Sequence, residues 1–296
     1  MTTITSASVL YILSLQSETS KVAMKSTLNL IAKKLQGVSS HTEADWSKLN
    51  YENVLTLMNT LKAEGLSPAR VNTYLAAVKG VAKYSWMNKS IDVEVYTWIQ
   101  QVKRLKGTRE TKGRSLSMKD VATMVEYCDN TSTAIRDSAL IALTYSAGMR
   151  RDEVSNLSIS DIDLSEGSVT ILGKGNKQAI NYINVKAVTA LNSWLKVRGT
   201  GKGALFTRIR KGNKLTSEGM TNKSVSDIII KRAKETKIGK LTAHDLRRSF
   251  ATNLLDAGED LFVVCDLMRH SDVQTTKTYD HRGQASRKLA SINLTF

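Results

Sequence analysis

Apolar residues recur at three- and four-residue intervals through most of this 296-residue chain, and its single proline, Pro68, interrupts none of those runs. Such spacing builds helices with one buried face. The clearest run is LSPARVNTYLAAVKGVAKY. Ser67 can cap it, Pro68 fits the first turn at no cost in hydrogen bonds, and Val71, Tyr74, Leu75, Val78, Val81 and Ala82 form the apolar stripe. The same reasoning predicts helices over 7–17, 21–36, 50–65 and 68–87. Arg70, Lys79 and Lys83 lie between stripe positions, where each suits either a phosphate contact or a solvated face.

A polar, basic stretch with two glycines, KGTRETKGRS at 106–115, reads as a surface linker. It divides a helical part, 1–105, from a second part, 116–296, with a tail from about 285. In the second part Ser117 can cap a helix over 118–128, and DSALIALTYSAG lies in another over 132–147. Gly148 ends or relaxes that turn, and Arg150 begins the next with Glu153 three residues on. An acidic residue at that spacing can hold an arginine's fork, although a surface salt bridge explains the spacing as well. Over 168–184 the period changes to that of strand, turn and strand, with Gly173 and Gly175 around Lys174 at an exposed tip. GKGNK lacks the spacing and the following Ser or Thr of a nucleotide-binding loop. Helices follow at 186–197 and 219–235, and the Gly-, Lys- and Arg-rich segment 199–216 between them reads as a loop. The fold class is therefore mainly α with a small β-hairpin, in two domains.

Charge points to the partner. The formal net charge is +16, and it is shared. Residues 1–115 hold 16 basic against 8 acidic side chains, and 116–296 hold 27 against 19, so each part carries +8. Two basic bodies suit a polyanion such as DNA better than one basic tail would. Aromatic residues at 6% offer little for stacking on single strands. Cys128 and Cys265 fall inside predicted helices and make no disulfide framework, which favours a reduced, cytoplasmic setting, and a DNA partner would make the protein nucleoid-associated there. No 18-residue apolar run and no signal-peptide pattern is present, so no membrane association is expected.

The chemistry concentrates in 241–280. A helix from about 242 places His244 and Arg247 on one face, with Arg248 turned one residue away and Asp245 free to cap. A helix over 259–268 leads to His270, and 272–281 carries Tyr279. Together with Arg150 these are cations and a tyrosine. They can bind a phosphodiester and attack it without a metal. Neither HExxH nor a cysteine cluster is present, and no cofactor or metal is expected.

The ordered set AGMRRDEV, GKG, HDLRRS, LMRH and TTKTYDH resembles the tyrosine recombinases, the integrase and Xer-type family of DNA breakage and rejoining enzymes. The resemblance covers roughly 116–285, and the first part more weakly resembles the family's SAM-like core-binding domain. It implies a C-shaped clamp on duplex DNA carrying paired recombination sites, a homodimer on one site and a homotetramer at synapsis. An accessory or directionality factor is compatible with it. It implies Tyr279 as the nucleophile, forming a 3′-phosphotyrosyl link. Arg150 and Arg247 would bind the non-bridging oxygens, His244 would take the tyrosine proton, and His270 would bind or orient the phosphate. Lys174 would be the general acid, with Lys177 on the same turn as its rival, and Glu153 would support Arg150. Arg269 departs from the pattern, since relatives usually have glycine before this histidine; an arginine there would add a phosphate contact or alter the approach of 272–281. The stripe Leu289, Ile292 and Leu294 would pack on a neighbouring protomer or fold back on its own domain. A topoisomerase of type IB and a binding-only accessory protein are the alternative functions.

Overall fold

The computed structural model describes residues 6–107, 113–127, 129–173, 178–270, 272–280 and 292. The chain forms two compact units, Met1–Thr111 and Lys112–Phe296. Among the described residues no helix is long and apolar enough to cross a membrane.

The first unit is helical: α1 Ala7–Leu13, α2 Glu18–Gln36, α3 Tyr51–Ala63, α4 Pro68–Met87 and α5 Val93–Gln101. The Ser67 side chain accepts the Arg70 N–H, and the predicted stripe of α4 is buried from Val71 to Ala82. It is the centre of a core with Leu28, Ile31, Leu57 and Leu61. The periodicity argument had no place for α5, and that helix changes the reading of Lys79. The Lys79 ammonium donates to the carbonyls of Gln100 and Val102 at 2.7 and 2.8 Å, closing the C-terminal end of α5. A cation there meets the unsatisfied carbonyls of a helix end. Lys79 is thus neither a solvated face nor a phosphate contact in this structure. Arg70 lies over the Tyr74 ring at 5.3 Å.

The second unit begins with α6 Met118–Glu126, α7 Ser132–Ser146 and α8 Arg151–Asn156. The helix expected to reach residue 128 ends at Glu126, and Cys128 lies outside the described residues. A three-stranded antiparallel sheet follows, in the order β1 Ile162–Asp163, β2 Ser168–Leu172, β3 Gln178–Tyr182. The predicted hairpin is β2 and β3, paired from Ser168↔Tyr182 to Leu172↔Gln178. Lys174 and Lys177 lie between these strands, outside the described residues. After α9 Val185–Arg198 comes the main departure from expectation. The segment read as a loop contains β4 Thr207–Arg210 and the start of β5 Lys214–Gly219, an antiparallel pair turning through Gly212 and Asn213, both at positive φ. Leu205 and Phe206 anchor it in the core, and Arg208 and Arg210 both pair with Glu218.

The unit closes with α10 Asn222–Glu235, α11 Ala243–Asp256, α12 Leu261–Leu267 and α13 Val273–Lys277. Its main core joins α7, α9 and α10 around Leu140, Leu143, Leu191, Trp194 and Ile229. A smaller cluster of Phe250, Leu255, Val264 and Met268 includes Tyr279. Cys265 is a free, buried thiol. Of the apolar tail stripe, Leu289 and Leu294 lie outside the described residues, and Ile292 is exposed.

Candidate active site

The C-terminal turns of α7 and α12 and the N-terminal turns of α8 and α11 bring the candidate residues together. Helix α7 ends in a Schellman closure. The Gly148 N–H donates to the Tyr145 carbonyl at 3.1 Å and the Met149 N–H to the Thr144 carbonyl at 3.0 Å. Gly148 sits at φ +55, and a Cβ there would come within 2.5 Å of the Phe250 ring. Glycine is thus required twice over, for conformation and for space. The turn reverses the chain so that Arg150 becomes the N-cap of α8. The Glu153 carboxylate accepts the Arg150 N–H at 2.8 Å and its guanidinium at 2.7 Å. The pairing expected from spacing is therefore present and is buried on the glutamate side.

Helix α12 ends the same way. The Arg269 N–H donates to Asp266 at 2.8 Å and the His270 N–H to Cys265 at 3.1 Å, with Arg269 at φ +54. The glycine usual in relatives now has a physical reason, because a Schellman closure puts this residue in the left-handed region. The Arg269 side chain is turned to protein. Its guanidinium donates to Glu153 at 2.7 Å and to the Leu267 carbonyl at 2.9 Å, so the expected extra phosphate contact is not what this geometry offers.

Helix α11 supplies the third element. Asp245 accepts from the Thr242 N–H at 2.8 Å and from its hydroxyl at 2.7 Å, which caps the helix as expected. His244 and Arg247 then project from its first turns. Arg247 is only 1% exposed. Its guanidinium donates to the carbonyls of Gly148 and Met268, one from each helix end, and lies 4.0 Å from Glu153. Burial and the neighbouring Arg150 push its pKa down.

Tyr279, 4% exposed, brings its hydroxyl to 3.4 Å from His244 Nε2, a long contact for a hydrogen bond. Its ring packs in the small core cluster, with the Arg248 guanidinium 5.2 Å above it. Burial and the charge of Arg247 lower the His244 pKa. The same two causes, with Arg150 and Arg269 added, push His270 down to about 4. Both imidazoles are therefore neutral at pH 7 without a phosphate present. His270 Nδ1 meets the Thr276 hydroxyl at 2.8 Å, and Thr276 is fully buried. Burial would raise the Glu153 pKa, but Arg269 and Arg150 outweigh it and hold the carboxylate ionised.

A cavity of about 460 Å³ opens beside Arg150, His244 and Arg247, bounded also by Ile230 and Ser226 of α10. Arg150, Glu153, His244, Arg247, Arg269, His270 and Tyr279 thus form one cluster, while Lys174 and Lys177 lie outside the described residues. Three participants escaped sequence reasoning. Thr276 orients His270, and its only signal was its place three residues before Tyr279. Asn181 of β3 donates to the carbonyls of Ala147 and Leu267, both at 2.9 Å, and so ties the hairpin to both helix ends. Gly148 was read as a helix terminator, which misses its carbonyl as a partner of Arg247.

Known proteins share this family and fold. Residues 114–285 match the model of the phage integrase family. A tyrosine recombinase XerC of Pseudomonas putida is 32% identical over 248 residues, covering 81% of this chain and 79% of the relative. Among solved structures, the Tn1549 transposon integrase in complex with a circular intermediate DNA superposes with a TM-score of 0.70 at 15% identity, over 98% of this chain and 100% of the other. The lambda integrase tetramer bound to a Holliday junction gives 0.69 at 15% identity, over 94% and 76%. The two structural likenesses support the fold, and the family match and the XerC identity support kinship: this chain belongs to the phage integrase family of tyrosine recombinases.

Proposed function

We propose that the protein is a site-specific recombinase that breaks and rejoins duplex DNA through Tyr279. The observation that carries the proposal is the placement of the Tyr279 hydroxyl 3.4 Å from a neutral His244 nitrogen, beside the Arg150 and Arg247 guanidiniums. In the forward step the tyrosine oxygen bonds to the scissile phosphorus while its proton passes to His244 Nε2. The bond from phosphorus to the 5′-oxygen breaks, and that oxygen takes a proton from Lys174, or from Lys177 as its rival. The products are a 3′-phosphotyrosyl ester and a 5′-hydroxyl. Rejoining is the same step reversed with another 5′-hydroxyl, so the ester conserves the bond energy and ATP has no role.

Negative charge grows on the phosphate in the transition state. Arg150 and Arg247 offer fixed donor forks to its non-bridging oxygens, and this supplies stabilisation for which other nucleases use metal ions. His270 joins them. When the Thr276 hydroxyl donates to Nδ1, the ring proton sits on Nε2 and can bond the phosphate. Catalysis is assigned to the second unit and DNA positioning to the first. Strand exchange between paired sites calls for a dimer on each and a tetramer at synapsis, and an accessory factor would set direction.

The test is covalent trapping on a nicked suicide duplex carrying the native candidate site. Wild type should leave a protease-sensitive 3′-adduct and Tyr279→Phe none. Equal behaviour of the two would remove the nucleophile assignment. Relaxation of supercoils with no recombinant product would instead point to a topoisomerase.

A further inference from the structure

Arg269 occupies the left-handed closing position of α12, where glycine would cost the backbone least. Its side chain does something that glycine could not. The Glu153 carboxylate faces three guanidiniums. One oxygen accepts from the Arg150 guanidinium, and the other accepts from Arg269 at 2.7 Å and from the Arg150 N–H at 2.8 Å. Arg247 lies 4.0 Å from that second oxygen, held back on the carbonyls of Gly148 and Met268.

We propose that Arg269 is a positioning residue: by occupying Glu153 it keeps this buried carboxylate from drawing Arg247 off its two backbone anchors. The inference rests on the recombinase reading above. Without Arg269 the carboxylate keeps Arg150 on one oxygen but lacks a guanidinium on the other, and its attraction for a nearby cation is strong where water is excluded. The nearest candidate is Arg247. Its move toward Glu153 would take the fork away from the cavity and from the phosphate oxygens it is assigned to hold. The left-handed arginine is thus a backbone cost that places a guanidinium on the second Glu153 oxygen. Any direct contact of Arg269 with DNA is unnecessary to the argument.

The experiment separates binding from chemistry. Single-turnover cleavage at saturating suicide duplex and the Kd for the intact site are measured for wild type, Arg269→Gly, Arg269→Lys, Glu153→Gln and the double variant Arg269→Gly/Glu153→Gln. Glycine suits the backbone at 269, but the variant also loses a buried ion pair, so cleavage is compared only where every variant's melt lies well above the assay temperature. Arg269→Gly should cleave at least about tenfold more slowly with Kd changed less than about twofold, since small misplacements of catalytic groups cost rates of that order. Arg269→Lys, which keeps the charge, should fall between. The double variant should cleave faster than Arg269→Gly, because the neutral amide no longer pulls on Arg247. Arg269→Gly at the wild-type rate, or single effects that simply multiply in the double variant, would overturn the inference. So would a parallel loss of Kd and rate, which marks a direct phosphate contact. Wild type that forms no adduct would overturn the underlying reading instead.

Discussion

Gly148→Ala tests the construction of the site from a single atom. At φ +55 the alanine carries a conformational cost of about 1–2 kcal/mol. Its Cβ would also lie 2.5 and 2.6 Å from two carbons of the Phe250 ring, a conflict that must be relieved by moving a buried side chain. Overpacking of that kind costs about 1–3 kcal/mol. The sum is about 2–5 kcal/mol. For a unit of the size of Lys112–Phe296, each kcal/mol lowers Tm by about 2–4 °C, so a drop near 10 °C is expected in a calorimetric melt of the full chain. The two contributions can be separated. In a Phe250→Leu background the smaller side chain removes much of the conflict while leaving the φ cost, so the effect of Gly148→Ala should shrink by roughly half. The site should suffer as well, because the Gly148 carbonyl anchors Arg247, and cleavage measured well below the melting transition should be slower than wild type. A Tm within about 2 °C of wild type, or an effect as large in the Phe250→Leu background, would refute the reasoning.

Other consequences are independent of that turn. His270 is held neutral, its pKa pushed down to about 4 by burial and by Arg247, against about 6.5 when unfolded. Because protonation favours the unfolded chain, the stability conferred is complete above pH 6.5 and lost as pH falls toward 4. The Tm difference between wild type and His270→Gln should therefore narrow or reverse over that window, and a difference independent of pH would count against a buried neutral imidazole. Lys79→Met should destabilise the first unit by about 1–2 kcal/mol in denaturant titrations, as expected for loss of charge-assisted bonds to partly buried carbonyls. It should leave the salt dependence of DNA binding unchanged. A slope reduced by about one would restore the phosphate contact that the structure argues against.

What could be read from sequence was local. The α4 stripe, its Ser67 cap with Pro68 in the first turn, the Asp245 cap and the β2–β3 hairpin all depend on residues within a few positions of one another. The order of the motifs also identified the family. What was missed depends on partners far apart in the chain. Lys79 closes a helix 21 and 23 residues away, and Arg269 reaches a carboxylate 116 residues away. No spacing rule connects such pairs. The β4–β5 hairpin is a different failure. Gly212 and Asn213 form a turn signal between TRIR and KLTSEG, but the density of Lys and Arg outweighed it, although alternation of Thr207, Arg208, Ile209 and Arg210 between core and solvent is a strand pattern.

Arg247 shows why structure and chemistry are hard to separate here. A guanidinium has five donors in a planar fork. Two of its arms are committed to the carbonyls of Gly148 and Met268, so this side chain rivets together the turn that presents Arg150 and the turn that presents His270. Helix C-terminal carbonyls carry partial negative charge, which makes a buried cation at their junction stabilising. The remaining donors are then held in direction before any phosphate arrives, which is what preorganised stabilisation requires. Replacing Arg247 by lysine would keep a charge but lose the fork, and would release at least one of the two turns. Its effect on rate would mix a missing phosphate contact with misplaced Arg150 and His270. Arg150 disturbs the turns less, because its guanidinium is partly exposed to the cavity and its removal leaves both Schellman closures intact, but it also takes a partner from the buried Glu153. A lowered rate with Arg150 changed therefore reports charge at the phosphate together with the loss of a Glu153 partner, whereas the same loss with Arg247 changed reports the coupling of two helix ends.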